Sequence, residues 1–243
     1  MRAFVAGGSR GIGGAVSRQL AADGADVAIG YRSREEDARA TAAAVDSLGR
    51  RAVLVRKDVA EDVAGAVAAA ASELGGLDVF VMCAVSPMAI PVEDLTAADV
   101  AETMRANAAP FVLGTLAAAR EMEPGGRVVG LSATGAHRIR NPRYAPLGLA
   151  KGAIEAGVRF LAVSLAARGI GVNAVMPGPT DTEAFDAMAA DAAKLRVRLT
   201  AATPMGRMGT PEDAARLIAW LCSPAAAWVT GQTIVSDGGY SLV

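Results

Sequence analysis

The sequence predicts one α/β domain, a doubly wound parallel sheet of about seven strands with helices on both faces. Three observations carry that reading. Short β-branched and apolar runs alternate with Ala-rich stretches along the whole chain, the pattern of strands covered on both faces by crossover helices. A glycine cluster, Gly7-Gly8-Ser9-Arg10-Gly11-Ile12-Gly13, stands between the first apolar run and the first Ala-rich stretch. Gly24, Gly49, Gly75 and Gly169 each close a helical stretch, where a left-handed residue ends a helix.

The runs that read as strands are Arg2–Ala6, Asp26–Gly30, Ala52–Arg56, Leu77–Met82, Arg127–Leu131, Gly171–Val175 and Gln232–Ser236. Helices fill the gaps. Thr210-Pro211-Glu212-Asp213 reads as an N-cap, a proline in the first turn and acids beside the helix N-terminus. Three irregular stretches, Cys83–Glu93, Ala133–Ala145 and Met176–Thr203, follow strand carboxyl ends, where an open parallel sheet builds its site. No linker divides residues 1–243, so the chain reads as one nucleotide-binding domain. The segment from about 180 to 205, with an Ala- and Met-rich helix Ala184–Leu199, is expected to act as a lid over the substrate.

Composition narrows the function. The net charge is -1 with acids and bases nearly balanced, which argues against nucleic acid or an anionic membrane as partner. No signal peptide opens the sequence and no apolar run is long enough to span a bilayer, so the expectation is a cytoplasmic protein. Cys83 and Cys222 are too few for a disulfide framework, no Cys/His cluster has metal-ligand spacing, and Cys83 reads as an inert core thiol.

In the glycine loop, Gly7, Gly11 and Gly13 permit a tight turn, close approach of a pyrophosphate and close helix–strand packing, with the helix N-terminus facing the phosphates. Strand, loop and helix together make a Rossmann-type dinucleotide site. The second strand ends in Gly30-Tyr31-Arg32-Ser33-Arg34, with no carboxylate to take a ribose 2′-hydroxyl. Arg32, Ser33 and Arg10 instead suit a 2′-phosphate, which favours NADPH.

These residues resemble the Gly-x-x-x-Gly-x-Gly signature of the short-chain dehydrogenase/reductase family. The likeness continues through Lys57-Asp58-Val59, Leu77-Asp78-Val79, Asn107, Ser132, Lys151, Val172-Asn173-Ala174-Val175, Pro177-Gly178 and Gly231-Gln232 to Asp237-Gly238-Gly239. The resemblance implies that Ser9 and Ile12 belong to the cofactor loop and that Asp58 and Val59 flank the adenine. It further implies that Lys151 holds the nicotinamide ribose, and that Pro177, Gly178, Thr180 and Thr182 lie toward the nicotinamide end. Ser132 would orient substrate, with Thr134 as a competitor, and Asn107 would support a proton relay through Lys151. Dimers or tetramers would form through helices Ala97–Met122 and Leu147–Ala167 and the last strand.

One tyrosine, Tyr144, lies seven positions before Lys151. A nearby ammonium lowers a phenol's pKa and can bind sugar hydroxyls. Most of the family has tyrosine four residues before the lysine; here that position is Leu147. Pro146 suits the first helical position, which leaves Tyr144 in the lead-in to the helix. The wider spacing resembles the enoyl-acyl-carrier-protein reductases of the superfamily, as does Leu149-Ala150-Lys151-Gly152-Ala153-Ile154-Glu155-Ala156. Carbonyl reduction needs a donor at the oxygen beside the hydride acceptor. Enoyl reduction builds charge on the thioester oxygen two carbons away, which a set-back donor can meet.

The family's Asn-Asn-Ala-Gly after the fourth strand is replaced by Met82-Cys83-Ala84-Val85, and Val85 is expected to crowd the adenosine side. Pro110 is expected to kink its helix. His137 reads as a surface-loop residue. Arg138, Arg140 and Arg143, with Lys194, Arg196 and Arg198, form either a solvated face or a receiver for the phosphate of a coenzyme A or acyl-carrier arm. Three readings stand open: an NADPH-dependent reductase of an enoyl thioester, an NADPH-dependent ketoreductase of a secondary-metabolic pathway, and a cofactor-binding protein without turnover.

Overall fold

The computed structural model describes residues 1–139, 141–188 and 191–243, with residues 187 and 188 described by backbone alone. Seven parallel strands are arranged in the order β3-β2-β1-β4-β5-β6-β7. They are β1 (Arg2–Ala6), β2 (Asp26–Tyr31), β3 (Ala52–Arg56), β4 (Leu77–Met82), β5 (Met122–Leu131), β6 (Gly171–Pro177) and β7 (Thr233–Ser236). The principal helices are α1 (Gly11–Ala22), α2 (Glu35–Ser47), α3 (Val59–Leu74), α4 (Ala97–Thr103), α5 (Ala109–Glu121), α6 (Ala145–Leu165), α7 (Glu183–Met188), α8 (Ala192–Ala202) and α9 (Pro211–Cys222).

Side-chain alternation along the strands builds two cores. Phe4, Phe80, Val128 and Val172 point toward α3, α5 and α6, where they meet Ala66, Phe111, Ile154 and Val158. Val5, Ile29, Val81, Val129 and Val175 face the opposite layer and meet Val16, Leu20 and Ile218 from α1 and α9. Phe4 and Phe80 are register partners on adjacent strands, and their rings stack with centroids 5.7 Å apart. Gly24, Gly49, Gly75 and Gly169 all adopt positive φ at helix ends, as their positions predict.

Three local differences from the sequence reading have physical causes. β5 begins at Met122 rather than Arg127, because the Glu123–Gly126 stretch bulges out of register between the pairs Leu77–Met122 and Val79–Arg127. The helix expected over Ala97–Met122 contains a π turn, Met104–Ala108, which ends at Ala109, before Pro110. A wide turn there lets the chain continue past a proline that lacks a backbone donor. The helix expected over Ala184–Leu199 is two helices: Asp191 accepts from the Lys194 amide at 3.0 Å and so starts α8 afresh.

The strand order reverses between β1 and β4, so the crevice above their carboxyl ends is the topological switch point. Of the three irregular stretches, Cys83–Glu93 and Met176–Thr203 reach it.

Candidate active site

At the switch point lies a cleft of about 440 Å³. Gly7, Ser9, Arg10, Gly11, Ile12 and Gly13 line it from the first loop, Arg32 and Ser33 from the end of β2, Asp58 and Val59 from the start of α3, and Thr182 from the stretch after β6. Two glycines are required by geometry. Gly7 has φ +76°, and a Cβ there would sit 2.7 Å from the Ala84 amide nitrogen; at Gly13 it would sit 2.0 Å from the Gly7 carbonyl oxygen. The loop is fastened from below and behind. The Ser17 hydroxyl donates to the carbonyls of Gly8 and Gly13, both at 3.1 Å, and the Thr41 hydroxyl to the Ser9 carbonyl at 2.7 Å.

The N-terminus of α1 begins at Arg10 with no side-chain cap. Its first amides therefore point into the cleft with the positive end of the helix dipole behind them, a ready seat for a pyrophosphate. The bare glycine cradle and the uncapped helix fit a dinucleotide.

The far end of the cleft is cationic. Arg10, Arg32 and Arg34 all line it. Arg32 approaches Asp58 at 3.4 Å, while Asp58 uses its other oxygen to cap the Ala60 amide at 3.0 Å. Glu183, from the start of α7, reaches across and meets Arg10 at 2.5 Å and Arg34 at 3.7 Å. A carboxylate of this chain thus stands where an anionic ligand would be recognised. Val85 also lines the cleft, on the segment that replaces the family's Asn-Asn-Ala-Gly.

At the inner end the cleft is lined by Leu131 of β5, while the expected catalytic residues Asn107, Ser132, Tyr144 and Lys151 are not among its lining residues. Lys151 is 5% exposed, and its ammonium donates to the Leu131 carbonyl at 2.7 Å, beside the cleft that Leu131 lines. Burial pushes its pKa down to about 8. Cys83 lies nearby, and burial pushes its thiol up to about 12, as befits an inert core residue.

Tyr144 ends a 3₁₀ turn, Pro142–Tyr144, and occupies the N-cap position of α6 with φ -91° and ψ 15°. The chain enters the helix one residue earlier than Pro146 suggests. Ala145 is already helical, and the Asn141 side chain, capping the Arg143 amide at 3.1 Å, has set up the preceding turn. The Pro146 carbonyl accepts from Thr103 at 3.1 Å, which ties the start of α6 to α4, and the Ile90 amide donates to the Arg143 carbonyl at 2.9 Å. Leu147 lies within α6, one turn before Lys151, while Tyr144 stands outside the regular helix.

Ser132 is buried at the end of β5, and its hydroxyl donates to Glu155 of α6. The other Glu155 oxygen meets His137 Nε2 at 2.7 Å, so His137, though half exposed, is tied to the site. Thr134 instead opens a short 3₁₀ turn. Asn107 sits in the π turn and clasps Ser86, accepting from its amide at 2.8 Å and donating to its carbonyl at 3.1 Å. It thereby holds the segment after β4 against α4.

Not every expected residue comes to the main cleft. Gly178 lines a smaller one beside Asp213 and Asp237, Pro177 closes β6, and Thr180 pairs with Gly209 in an isolated bridge. Arg196 is engaged by Asp181 at 2.8 Å and Asp186 at 2.5 Å, and Arg138 donates to the Ser241 carbonyl at 2.7 Å. Both are committed within the chain, while Arg140 lies outside the described residues. Sequence reasoning missed Glu155, Thr103 and Glu183 as site residues. Glu155 had a signal, a lone acid in an apolar helix four residues after Lys151, hence on its face. The other two gain their meaning only from the packing of distant elements.

Comparison with known proteins agrees with this geometry. A family model described as Enoyl-(Acyl carrier protein) reductase matches residues 6–241. The chain is 36% identical to 1-cyclohexenylcarbonyl-CoA reductase of Streptomyces collinus, over 99% of this chain and 86% of that one. It is 34% identical to 3β-hydroxysteroid dehydrogenase 1 of Eggerthella lenta, over 98% and 92%. A short-chain dehydrogenase from Burkholderia cenocepacia, solved in complex with NADP, superposes with a TM-score of 0.91 at 37% identity, over 98% of this chain and 97% of that one. The chain belongs to the short-chain dehydrogenase/reductase superfamily of nicotinamide-cofactor oxidoreductases.

Proposed function

We propose that the protein is an NADPH-dependent reductase of an α,β-unsaturated acyl thioester, with coenzyme A or an acyl-carrier protein as the thiol. The observation that carries this is the place of Tyr144. It stands outside α6, seven residues before Lys151, while Leu147 fills the helical position one turn before the lysine. Along a helix axis seven residues correspond to about 10 Å and four to about 6 Å. The Tyr144 backbone thus enters ahead of α6, further from Lys151 along the chain than a donor at Leu147 would be, a spacing that suits a donor for a thioester oxygen. The match to the enoyl reductase family model and the likeness to a cyclohexenylcarbonyl-CoA reductase support the same substrate class.

NADPH, held by these residues, would supply a hydride for the β-carbon of the substrate. Tyr144 would meet the negative charge on the thioester oxygen and give its proton there, and the resulting enol would tautomerise, losing the oxygen proton and gaining one on the α-carbon, to the saturated thioester. Lys151, whose pKa burial lowers to about 8, holds the nicotinamide ribose. The glycine loop and the N-terminus of α1 hold the pyrophosphate, and Arg10, Arg32, Ser33 and Arg34 take the 2′-phosphate. Asp58 and Val59 flank the adenine. Asn107 supports the site through the Ser86 segment, and the lid of about 180–205 closes over the acyl chain.

The likeness to a hydroxysteroid dehydrogenase favours a second reading, reduction of a ketone. NADPH oxidation measured with enoyl thioesters and with ketones, in wild type and Tyr144→Phe, separates the two. Enoyl turnover that falls at least ~100-fold in the variant supports the proposal. Ketone reduction without enoyl turnover overturns it.

A cytoplasmic homodimer or homotetramer completes the proposal. Phe160 and Val163 on α6 are 81% and 80% exposed, and Trp228 is 98% exposed, an apolar surface suited to a second copy.

A further inference from the structure

Two side chains of α6, one turn apart, each hold one of two consecutive residues at the end of β5. Lys151 donates to the Leu131 carbonyl at 2.7 Å, and the Ser132 hydroxyl donates to Glu155. The remaining Glu155 oxygen accepts from His137 Nε2 at 2.7 Å. Glu155 is only 5% exposed, in a helix whose neighbouring Ala150, Ile154 and Val158 are buried to within 1%. A carboxylate in that setting loses its hydration, and an apolar side chain would pack there without that cost. Stability alone therefore gives no reason for Glu155.

The direction of the Ser132 bond gives one. A serine hydroxyl has one proton and two lone pairs. Once the proton is directed to the carboxylate, only lone pairs remain for the site.

We propose that Glu155 is a positioning residue of the reaction: it takes the Ser132 proton, so that Ser132 presents a hydrogen-bond acceptor to the site, while His137 holds the second carboxylate oxygen. Ser132 then accepts from a hydroxyl, that of Tyr144 or of a substrate or product alcohol. The oxygen that gains charge is left to Tyr144. This goes beyond the substrate assignment, since enoyl and ketone reduction both need one oxygen protonated and a correctly directed serine.

Glu155→Leu and Glu155→Gln test it in the full chain, on whichever of the two substrate classes the wild type reduces. Glu155→Leu is expected to lower kcat about 100-fold through loss of orientation. Its affinity for NADPH should stay within about twofold and its unfolding midpoint should be unchanged or higher. Glu155→Gln, whose amide oxygen can still accept from Ser132, should keep kcat within about tenfold of wild type. His137 is the sole histidine, so its two ring nitrogens, Nδ1 and Nε2, give the one imidazole signal pattern in NMR. That signal should show the proton on Nε2 in wild type and a change of tautomer in Glu155→Gln, where the amide becomes the donor.

Any one of three results with the variants overturns the proposal: a Leu variant within about threefold of wild-type kcat, a Gln variant no better than Leu, or a histidine signal unmoved by both. Absence of turnover with either class in wild type also overturns it. Turnover of ketones alone would refute the enoyl assignment and leave the Glu155 comparison intact.

Discussion

Lys151 is a charge that the fold holds at a cost, and its removal has a calculable consequence. Burial lowers its pKa from 10.5 to about 8. At ~1.4 kcal/mol per unit, the folded chain carries a penalty of about 3 kcal/mol whenever the ammonium is protonated in both states. The penalty is full below pH 8. Between pH 8 and 10.5 the unfolded chain keeps its proton while the folded chain has lost it, so stability rises with pH across that window. Replacing Lys151 with Met removes the titration and most of the burial cost, but leaves the Leu131 carbonyl without its 2.7 Å partner. That loss costs about 1–3 kcal/mol. Near neutral pH the two effects largely offset, and Lys151→Met should unfold within about 2 kcal/mol of wild type. The distinctive signal is in the difference curve. Urea unfolding of cofactor-free protein from pH 7 to 10.5 should show wild type gaining about 3 kcal/mol on the variant. Tyrosines and other lysines titrate in the same range, but they are common to both proteins and cancel. Parallel curves would refute the reasoning, because they would mean that Lys151 is not desolvated in the folded chain.

Three further predictions concern the cofactor cleft. Arg34→Ala should weaken NADPH binding about tenfold, some 1.4 kcal/mol, and leave NADH binding within about twofold, measured by nicotinamide fluorescence; equal loss for both cofactors would place the guanidinium away from the 2′-phosphate. Because Glu183 meets Arg10 and Arg34, Glu183→Gln should tighten NADPH about two- to tenfold at low salt, with the gain fading as salt is added, and weaker binding would contradict competition for those arginines. Gly7→Ala places a Cβ 2.7 Å from the Ala84 nitrogen at φ +76° and should cost at least ~2 kcal/mol in urea unfolding, together with loss of cofactor binding; a stable variant would contradict the packing described for the loop.

Much of the fold was legible because its signals are local and repeat. Buried parallel strands read as apolar runs, and helix ends read as glycines, so all seven strands could be placed, most of them to within a residue or two. The β5 bulge and the π turn were less accessible. Both depend on register against neighbouring strands and helices, which no run of residues encodes alone. The cleft was legible where a backbone requirement fixed residue type, as at Gly7 and Gly13, or where an expected charge was missing, as after β2. The Glu155 network was not. A carboxylate, a serine and a histidine separated by up to 23 positions meet only because β5 and α6 pack side by side. Glu183 was hidden for the same reason, since its partners come from the other end of the chain. Tyr144 lies between these cases. Its spacing was visible, but whether Pro146 bent it back toward Lys151 depended on where α6 begins. That start is set by the Asn141 cap and by the Thr103 bond to Pro146.

Under the proposed function, Tyr144 serves an enolate rather than an alkoxide. The most direct test offers the enzyme a 2-enoyl thioester and the corresponding 3-ketoacyl thioester together, with NADPH carrying deuterium at the transferred position, and identifies the product by mass spectrometry and NMR. The expected product is the saturated acyl thioester, with deuterium on its β-carbon. A 3-hydroxyacyl thioester with deuterium on the carbinol carbon, and no saturated product, would contradict it.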